Sequence, residues 1–249
     1  MFFWRSTVPP RAPGLPAVEL AVTGRGAGRG AAPFTGLNLG GHVGDDPVTV
    51  EQNRHELASA LGVDRDHLLF LAQVHGDTVA DATGPWSGDA PEADAAVTAT
   101  PGLALAALVA DCVPVLLHDA DAGVVAAVHA GRPGLLAGVV DRAVDALAER
   151  GARHLSAVVG PSVCGRCYEV PEAMARDVAH VAPSALARSW AGTPAVDVAA
   201  GVVERLSARR VAVQWLPGCT REDGDLYSYR RDGRTGRFAA VVALREVAA

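Results

Sequence analysis

Short apolar runs bounded by glycine, proline or aspartate recur along the chain, and runs of this kind predict strands. The predicted strands cover residues 17–22, 67–74, 105–109, 124–128, 155–159, 211–215 and 238–244. Apolar residues at helical spacing predict helices over residues 48–61, 135–150 and 197–206, and a further helix that begins near residue 171. Strands and helices are intermixed without βαβ regularity and without a linker. We therefore expect one α+β domain over residues 1–249.

Three of the predicted strands are each followed by a metal-binding residue type and then by small or turn residues: His75, Cys112 and His129. Imidazole and thiolate both bind zinc, and three protein ligands leave a fourth position for water or substrate, as in catalytic zinc sites. The spacings of 37 and 17 residues match no compact structural zinc motif. The prediction of a shared Zn2+ site therefore depends on the repeated strand-end pattern.

Copper is the alternative metal, because it also binds two histidines and a cysteine, with a weak axial methionine. The chain has only two methionines, Met1 and Met174, and none of its eight histidines stands in a His-x-His pattern. We therefore expect zinc rather than copper. Without a metal, Cys112 could instead act as a nucleophile with His129 as its base, which would make the protein a hydrolase.

Other candidate residues are polar side chains close to these ligands or in glycine-rich segments. Asp77 and Asp111 are candidates to orient a ligand or carry a proton, and are equally well read as turn or capping residues. Asn38 and His42 lie in a glycine-rich loop that favours a binding role. Arg54 is a substrate-binding candidate, although its helical position is also typical of a solvated arginine.

The pair Cys164-x-x-Cys167 has three readings, namely half of a second metal site, a redox pair, or an incidental pair that lines a pocket. A second zinc would need two more ligands, for which Cys219 and a histidine such as His180 are available. We favour the incidental or pocket-lining reading.

Composition narrows the classes of function. The net charge of −6 argues against nucleic acid as a partner, because phosphate backbones require clustered positive charge. No lysine is present, which excludes Schiff-base chemistry. The N-terminal apolar run of three residues is too short for a signal peptide, and no run approaches the length of a membrane span. We therefore expect a cytoplasmic protein with no membrane partner, either a monomer or a small homo-oligomer.

Several motifs together resemble the YfiH/laccase-domain family, whose members were once called polyphenol oxidases. They are GLNLGGHVGDDPVTVEQNR, QVHGDTV, ADAAVTATPGLALAALVADCVPVLL, AAVHAG, GPSVCGRCYEV and SYRRDGRTGR, and they span roughly residues 20–245. The resemblance implies a mixed α/β sandwich of the cytotoxic-necrotizing-factor-like kind. It also implies zinc on the residues that match the family ligands, His75, Cys112 and His129.

The resemblance further implies purine nucleoside chemistry. Family members resemble phosphorylases that split adenosine, inosine or S-methyl-5'-thioadenosine with phosphate, some deaminate adenosine, and related members are linked to peptidoglycan editing. Arg230 and Arg231 would supply charge for phosphate. One departure stands after His129, where the family usually reads His-Ala-Gly-Trp-Arg-Gly and this chain has Arg132 and Pro133. Pro133 carries neither charge nor amide hydrogen, so activity depends on whether Arg132 substitutes, and a member that has lost its activity is the alternative.

Overall fold

The structure is a computed structural model that describes residues 1–10 and 12–245. Its strands are β1 (Phe2–Val8), β2 (Val18–Thr23), β3 (Leu68–Leu69), β4 (Val79–Asp81), β5 (Ala95–Thr98), β6 (Ala104–Val109), β7 (Val113–Asp119), β8 (Val124–Ala130), β9 (Ser156–Val159), β10 (Leu186–Arg188), β11 (Pro194–Val196), β12 (Ala212–Trp215) and β13 (Phe238–Leu244). Its α-helices are α1 (Pro47–Leu61), α2 (Arg132–Ala137), α3 (Val139–Glu149), α4 (Glu172–Val181), α5 (Val198–Ala208) and α6 (Tyr229–Asp232).

Most of the described strands form two mixed sheets. The first sheet has the order β1-β2-β13-β6-β3, and the second has the order β12-β9-β7-β8-β5-β4. Neighbouring strands are antiparallel except for the pairs β3/β6, β4/β5 and β9/β12, which are parallel. Strands β10 and β11 form a separate hairpin beside α4. The α+β class expected from the sequence is confirmed.

Helices cover the outer faces of both sheets. Helix α1 covers the first sheet, where Leu57 belongs to the same buried cluster as Ala104 of β6. Helices α2, α3 and α5 cover the second sheet, where Val144 and Val202 share a cluster with Val115 of β7, and α4 packs against α2 and the hairpin. The central strands are therefore buried on both faces, which explains why they read as continuous apolar runs rather than as alternating patterns.

The inner faces of the two sheets pack against each other. Leu105 and Val109 of β6 share a buried cluster with Leu116 of β7 and Val125 of β8. Successive side chains of a strand point to opposite faces, so each of these strands sends alternate residues to this interface and to the helices. The layers are therefore helix, sheet, sheet and helix, which is the mixed sandwich that the resemblance implied.

The structure corrects three details of the sequence prediction. The strand expected over residues 67–74 is only the two-residue β3, because the following residues leave the sheet to form a loop. The helix expected over residues 135–150 is two helices, α2 and α3, since Gly138 takes a left-handed φ of 92° between them. Strand β7 was not predicted, although its apolar residues follow Cys112 directly. No helix among the described residues combines the length and apolar character needed to cross a membrane.

We expect that Asp119→Ala destabilises the fold by about 2–4 kcal/mol at pH 7, because this buried carboxylate accepts hydrogen bonds from four backbone amides. The donors are the amides of Asp121, Ala122, Arg153 and His154, and they outweigh burial in holding the pKa of Asp119 below its usual value. The Asp119 carboxylate should therefore stabilise the fold fully above about pH 4, and this contribution should disappear as the pH falls through the pKa of Asp119 in the folded protein.

Urea unfolding of the two proteins at several pH values measures this difference. The control is Asp121→Ala, which removes an exposed carboxylate from the same turn and should leave the unfolding free energy within about 0.5 kcal/mol of the original. Equal unfolding free energies of Asp119→Ala and the unmodified protein at pH 7 would contradict the stabilising role of the Asp119 carboxylate.

Candidate functional site

The three predicted ligands meet where the chain passes from one sheet to the other. Cys112 lies in the short connection that leaves β6 in the first sheet and enters β7 in the second. His75 lies in the loop between β3 of the first sheet and β4 of the second. His129 is the penultimate residue of β8, which pairs with β7 and brings the imidazole to the same end of the interface.

The distances among these side chains fit a tetrahedral metal ion. Zinc at ordinary bond lengths separates a sulfur ligand from a nitrogen ligand by about 3.6 Å. Cys112 Sγ lies 3.7 Å from His75 Nε2, and one ligand atom from each of the three residues lies within 4.8 Å of the others. The rings of His75 and His129 meet edge to face with centroids 4.7 Å apart. His129 is buried and His75 is exposed, so a fourth position would face solvent.

Asp94 holds two of the three ligands in place and is itself fully buried. Its Oδ1 accepts a hydrogen bond from His129 Nδ1 at 2.8 Å, which leaves the other ring nitrogen to bind a metal. The same oxygen accepts the amide of His75 at 3.0 Å, and Oδ2 accepts the amide of Gly76 at 2.6 Å. These bonds hold His75 at a φ of 62°, a left-handed conformation that residues other than glycine rarely adopt.

Each ionisable group of the site favours the charged form of its neighbours. Burial alone would raise the pKa of Asp94, but the hydrogen bonds from His129 and Gly76 keep it below its usual value. Burial also opposes ionisation of Cys112, yet His129 and His75 outweigh it and lower the pKa of this thiol to about 6. Burial disfavours a charged His129, but Cys112 and Asp94 raise its pKa to about 9. The site therefore favours a thiolate, the form of cysteine that binds metals.

A single glycine keeps the space between the ligands open. A Cβ atom on Gly131 would lie 2.7 Å from Cδ2 of His75 and 3.2 Å from Sγ of Cys112. Any side chain at this position would therefore displace the two ligands.

The three ligands form one wall of a cavity of about 380 Å³, which falls within the usual range of about 300–1,000 Å³ for small-molecule sites. The remaining described residues that line it are His42, Gln73, Leu108, Val109, Ala110, Asp111, Arg132, Val163, Tyr168, Val198, Tyr229, Arg230 and Arg237. Three arginines therefore face the same space as two aromatic and several aliphatic side chains. Burial, followed by the charges of Arg237 and Arg54, lowers the pKa of His42, so this imidazole is neutral near pH 7.

Both candidate aspartates have structural partners. Asp111 lines the cavity, but its Oδ1 accepts from Thr220 and Ser228 at 2.6 Å each and its Oδ2 accepts from the amide of Arg230 at 2.6 Å. Asp77 lies in a separate cleft, where its carboxylate pairs with Arg142 at 3.3 Å. The structure therefore brings Asp111 to the predicted ligands and places Asp77 outside their cavity.

The substrate-binding candidates divide into residues that line the cavity and residues that support its loops. His42, Arg132 and Arg230 line it. Asn38 is buried and does not, because its side chain holds the loop after β2 together through Gly40, Asp45 and Arg237. Arg54 donates to the carbonyl of Leu39 and stacks on Phe70, and Arg231 donates to the carbonyls of Thr220, Asp223 and Leu226.

Arg132 and Pro133, which stand where the family usually has tryptophan and arginine, fit the local structure. The two residues occupy the first turn of α2, where backbone amides have no intrahelical partner. The missing amide of Pro133 therefore costs no hydrogen bond, and its fixed φ suits the start of a helix. Arg132, directly before it, lines the cavity and keeps a positive charge in this part of the site.

Sequence reasoning missed two residues that matter here, Asp94 and Arg237. Asp94 precedes the apolar strand β5 in the segment Ala93-Asp-Ala-Ala, and a carboxylate in such surroundings is a signal of a buried partner. Arg237 lies directly before β13, at the end of the charged segment in which the resemblance points to Arg230 and Arg231 as the phosphate-binding candidates.

Known proteins match this chain along nearly its whole length. Residues 19–245 match the family described as multi-copper polyphenol oxidoreductase laccase. A purine nucleoside phosphorylase of Streptomyces griseus is 52% identical over 238 residues, which cover 94% of this chain and 97% of that protein. A purine nucleoside phosphorylase of Streptomyces coelicolor is 55% identical over 229 residues, which cover 89% of this chain and 93% of that protein. The solved structure of Bacillus licheniformis YfiH superposes with a TM-score of 0.85 at 26% identity and covers 92% of this chain and 93% of that one.

We expect that Asp94→Asn weakens divalent metal binding at the His75, Cys112 and His129 site by about 10–100-fold, because loss of an outer hydrogen-bond partner has that effect at zinc sites. An amide can still accept from His129, but it lacks the charge that favours the metal-binding arrangement. Competition of the protein with a chromophoric zinc chelator measures the affinity.

The matched control is Asp77→Asn, which removes a carboxylate two residues from His75 but within the separate cleft. Its zinc affinity should equal that of the unmodified protein. Equal affinities for Asp94→Asn and Asp77→Asn would contradict the role assigned to Asp94.

Proposed function

We propose that this chain, which belongs to the multi-copper polyphenol oxidoreductase laccase (YfiH) family, is a zinc-dependent purine nucleoside phosphorylase that also deaminates adenosine. The observation that carries the proposal is the cluster of His75, Cys112 and His129 in the wall of a cavity that three arginines also line. Such a cavity could serve several reactions, and the high identity to two Streptomyces proteins named purine nucleoside phosphorylase supports phosphorolysis of nucleosides. The family resemblance seen in the sequence is confirmed.

Zinc suits the donor set better than the copper in the family's description. Two imidazoles and one thiolate form a tetrahedral zinc site with one open position, whereas an electron-transfer copper site adds a weak axial ligand that is often methionine. Neither Met1 nor Met174 lines the cavity. When bound, zinc would polarise an oxygen or lower the pKa of a water molecule at the open position.

The phosphate and the purine require different surroundings, and the cavity offers both. Arg132, Arg230 and Arg237 supply positive charge, and the forked guanidinium group binds phosphate oxygens in pairs. The guanidinium of Arg230 also stacks on Tyr168, with its carbon 4.8 Å from the ring centre, which fixes its direction. The aliphatic side chains and the ring of Tyr229 provide apolar contact for a purine.

Deamination additionally requires a group that moves a proton to the departing amine. Asp111 is the carboxylate among the described residues that line the cavity, so we assign this role to it. The donors on both of its oxygens hold the carboxylate in one orientation. His42, which is neutral near pH 7, is positioned in the same cavity to bind a hydroxyl or a ring nitrogen of the nucleoside.

A second candidate function is a cysteine hydrolase in which Cys112 attacks and His129 acts as base. The observation in its favour is the low pKa of the Cys112 thiol, about 6, beside a histidine with a raised pKa. A zinc ion on Cys112 would occupy the nucleophile, so metal content separates the two functions.

We expect that the purified protein converts adenosine to adenine only when phosphate is present, and to inosine whether or not phosphate is present. His75→Ala should lose both reactions, and removal of zinc with a chelator should abolish them until zinc is returned. Chromatography of the products measures both reactions. Full activity after complete removal of metal would contradict the proposed dependence on zinc.

We expect that Arg230→Gln raises the KM for phosphate by about tenfold or more while kcat for deamination of adenosine stays unchanged, because a charge-assisted contact contributes about 1.5–3 kcal/mol. Arg221→Gln is the matched control, since this arginine belongs to the same charged segment but does not line the cavity. Initial rates at varied phosphate concentration measure the effect. An unchanged KM in Arg230→Gln would exclude this arginine from phosphate binding.

A further inference from the structure

A second group of metal-binding side chains lies on two tight turns outside the cavity. The first turn carries Cys164 and Cys167, and the second carries Cys219 and Glu222. Each turn is closed by backbone hydrogen bonds, from the amide of Cys167 to the carbonyl of Cys164 and from the amide of Glu222 to the carbonyl of Cys219, at 2.9 and 3.0 Å. Both pairs therefore have the spacing of two intervening residues that structural zinc sites use.

A short parallel bridge holds the two turns side by side. Ser162 pairs with Cys219, and the amide of Thr220 donates to the carbonyl of Ser162 at 3.1 Å. The bridge continues the pairing of β9 with β12, the two strands that lead into these turns. The backbone therefore positions the turns independently of any bond between their side chains.

The four side chains converge on one point. One ligand atom from each residue lies within 4.8 Å of the other three, and tetrahedral zinc separates two sulfur ligands by about 3.8 Å. Cys167 is buried, Cys164 and Cys219 are half-buried, and Glu222 is exposed at the rim. A small closure of the turns would bring all four to bonding distance of a single ion.

The surroundings already orient these ligands. Glu222 Oε1 accepts from the indole nitrogen of Trp190 at 3.2 Å and from Cys167 Sγ at 3.4 Å. The amide of Cys164 donates to Cys219 Sγ at 3.4 Å, as amides do around metal-bound sulfur. Three sulfur atoms and one carboxylate, the donor types that structural zinc sites use, thus face one another.

We propose that Cys164, Cys167, Cys219 and Glu222 form a second zinc site, which is structural because its four protein ligands leave no open position. Binding converts the three thiols to thiolates and releases their protons to solvent, while the carboxylate binds as it is. His180, a candidate for this role in the sequence, lies in α4 and is not a member of the group.

The proposed site would also stabilise one side of the substrate cavity. Val163 and Tyr168, which flank the first turn, both line the cavity. Thr220, which follows Cys219, donates to Asp111 at 2.6 Å. A metal that joins the two turns would therefore hold cavity residues from two separate segments, Val163 with Tyr168 and, through Thr220, Asp111, without contacting substrate.

Metal analysis of two variants tests the proposal independently of enzyme activity. The double variant His75→Ala/His129→Ala removes the first site, and its protein purified under reducing conditions should retain one zinc per chain. The variant Cys164→Ser/Cys219→Ser removes two ligands of the second site and should lose one zinc relative to the unmodified protein. Within the His75→Ala/His129→Ala background, Co2+ should produce strong sulfur-to-cobalt absorption that Zn2+ displaces.

A milder variant guards against misfolding, because Glu222 is exposed. Glu222→Gln in the His75→Ala/His129→Ala background should weaken zinc binding by at least the effect of about 10–100-fold that follows loss of an outer partner, because it alters a ligand itself. Asp225→Asn, which alters another exposed carboxylate of the same segment, should leave the affinity unchanged.

The chelator-induced drop in melting temperature should likewise be smaller in Glu222→Gln and unchanged in Asp225→Asn. Three results would overturn the proposal: no zinc in the His75→Ala/His129→Ala protein, a disulfide between Cys164 and Cys219 in place of metal, or equal affinities for Glu222→Gln and Asp225→Asn.

Discussion

The buried carboxylate of Asp94 is the constraint on which the candidate active site depends. It accepts the ring of His129 and the backbone amides at His75 and Gly76, so one side chain sets the direction of one ligand and the backbone of another. A carboxylate without hydrogen bonds would be too costly at this depth, and its ionisation in turn favours a charged or metal-bound His129. Fold stability and metal-site geometry therefore share the same interaction.

The sandwich architecture explains why the ligands come from distant parts of the sequence. The chain crosses between the two sheets near Cys112 and again between β3 and β4, and both crossings lie at the end of the interface where β8 delivers His129. Apolar residues fill the rest of the interface, so the polar site is confined to its open end. The cavity, the arginines that line it and the two cysteine-bearing turns all lie around that end.

Local pattern was enough to predict several of the buried strands and the convergence of three candidate metal-binding side chains. The prediction of residues 238–244 matches β13, and His75, Cys112 and His129 do come together as the strand-end pattern indicated. Pattern failed at residues 67–74, where only Leu68 and Leu69 pair with β6, although β6 itself continues to Val109. The apolar run therefore leaves the sheet while its partner strand goes on, and the point of departure is not visible in the run itself.

The contacts of Asp94 with His129 and of Cys164 with Cys219 could not be derived from local pattern for a related reason. Asp94 acts on His129 across 35 residues, and Cys164 meets Cys219 across 55, so neither contact leaves a trace in local spacing. For Arg231 the sequence predicted a binding role that the structure does not support. Its charged segment suggested a contact with phosphate, but its guanidinium donates to backbone carbonyls instead. Long-range packing decides which charged side chains remain available to a ligand.

Anomalous X-ray scattering at the zinc absorption edge, recorded from crystals of the unmodified protein grown without added metal, would identify the ion at the proposed active site. We expect a zinc peak within bonding distance of His75, Cys112 and His129, with its open position facing the arginine-lined cavity. A peak that scatters at the copper edge instead, or a metal-free site with Cys112 bonded to a substrate fragment, would contradict this expectation.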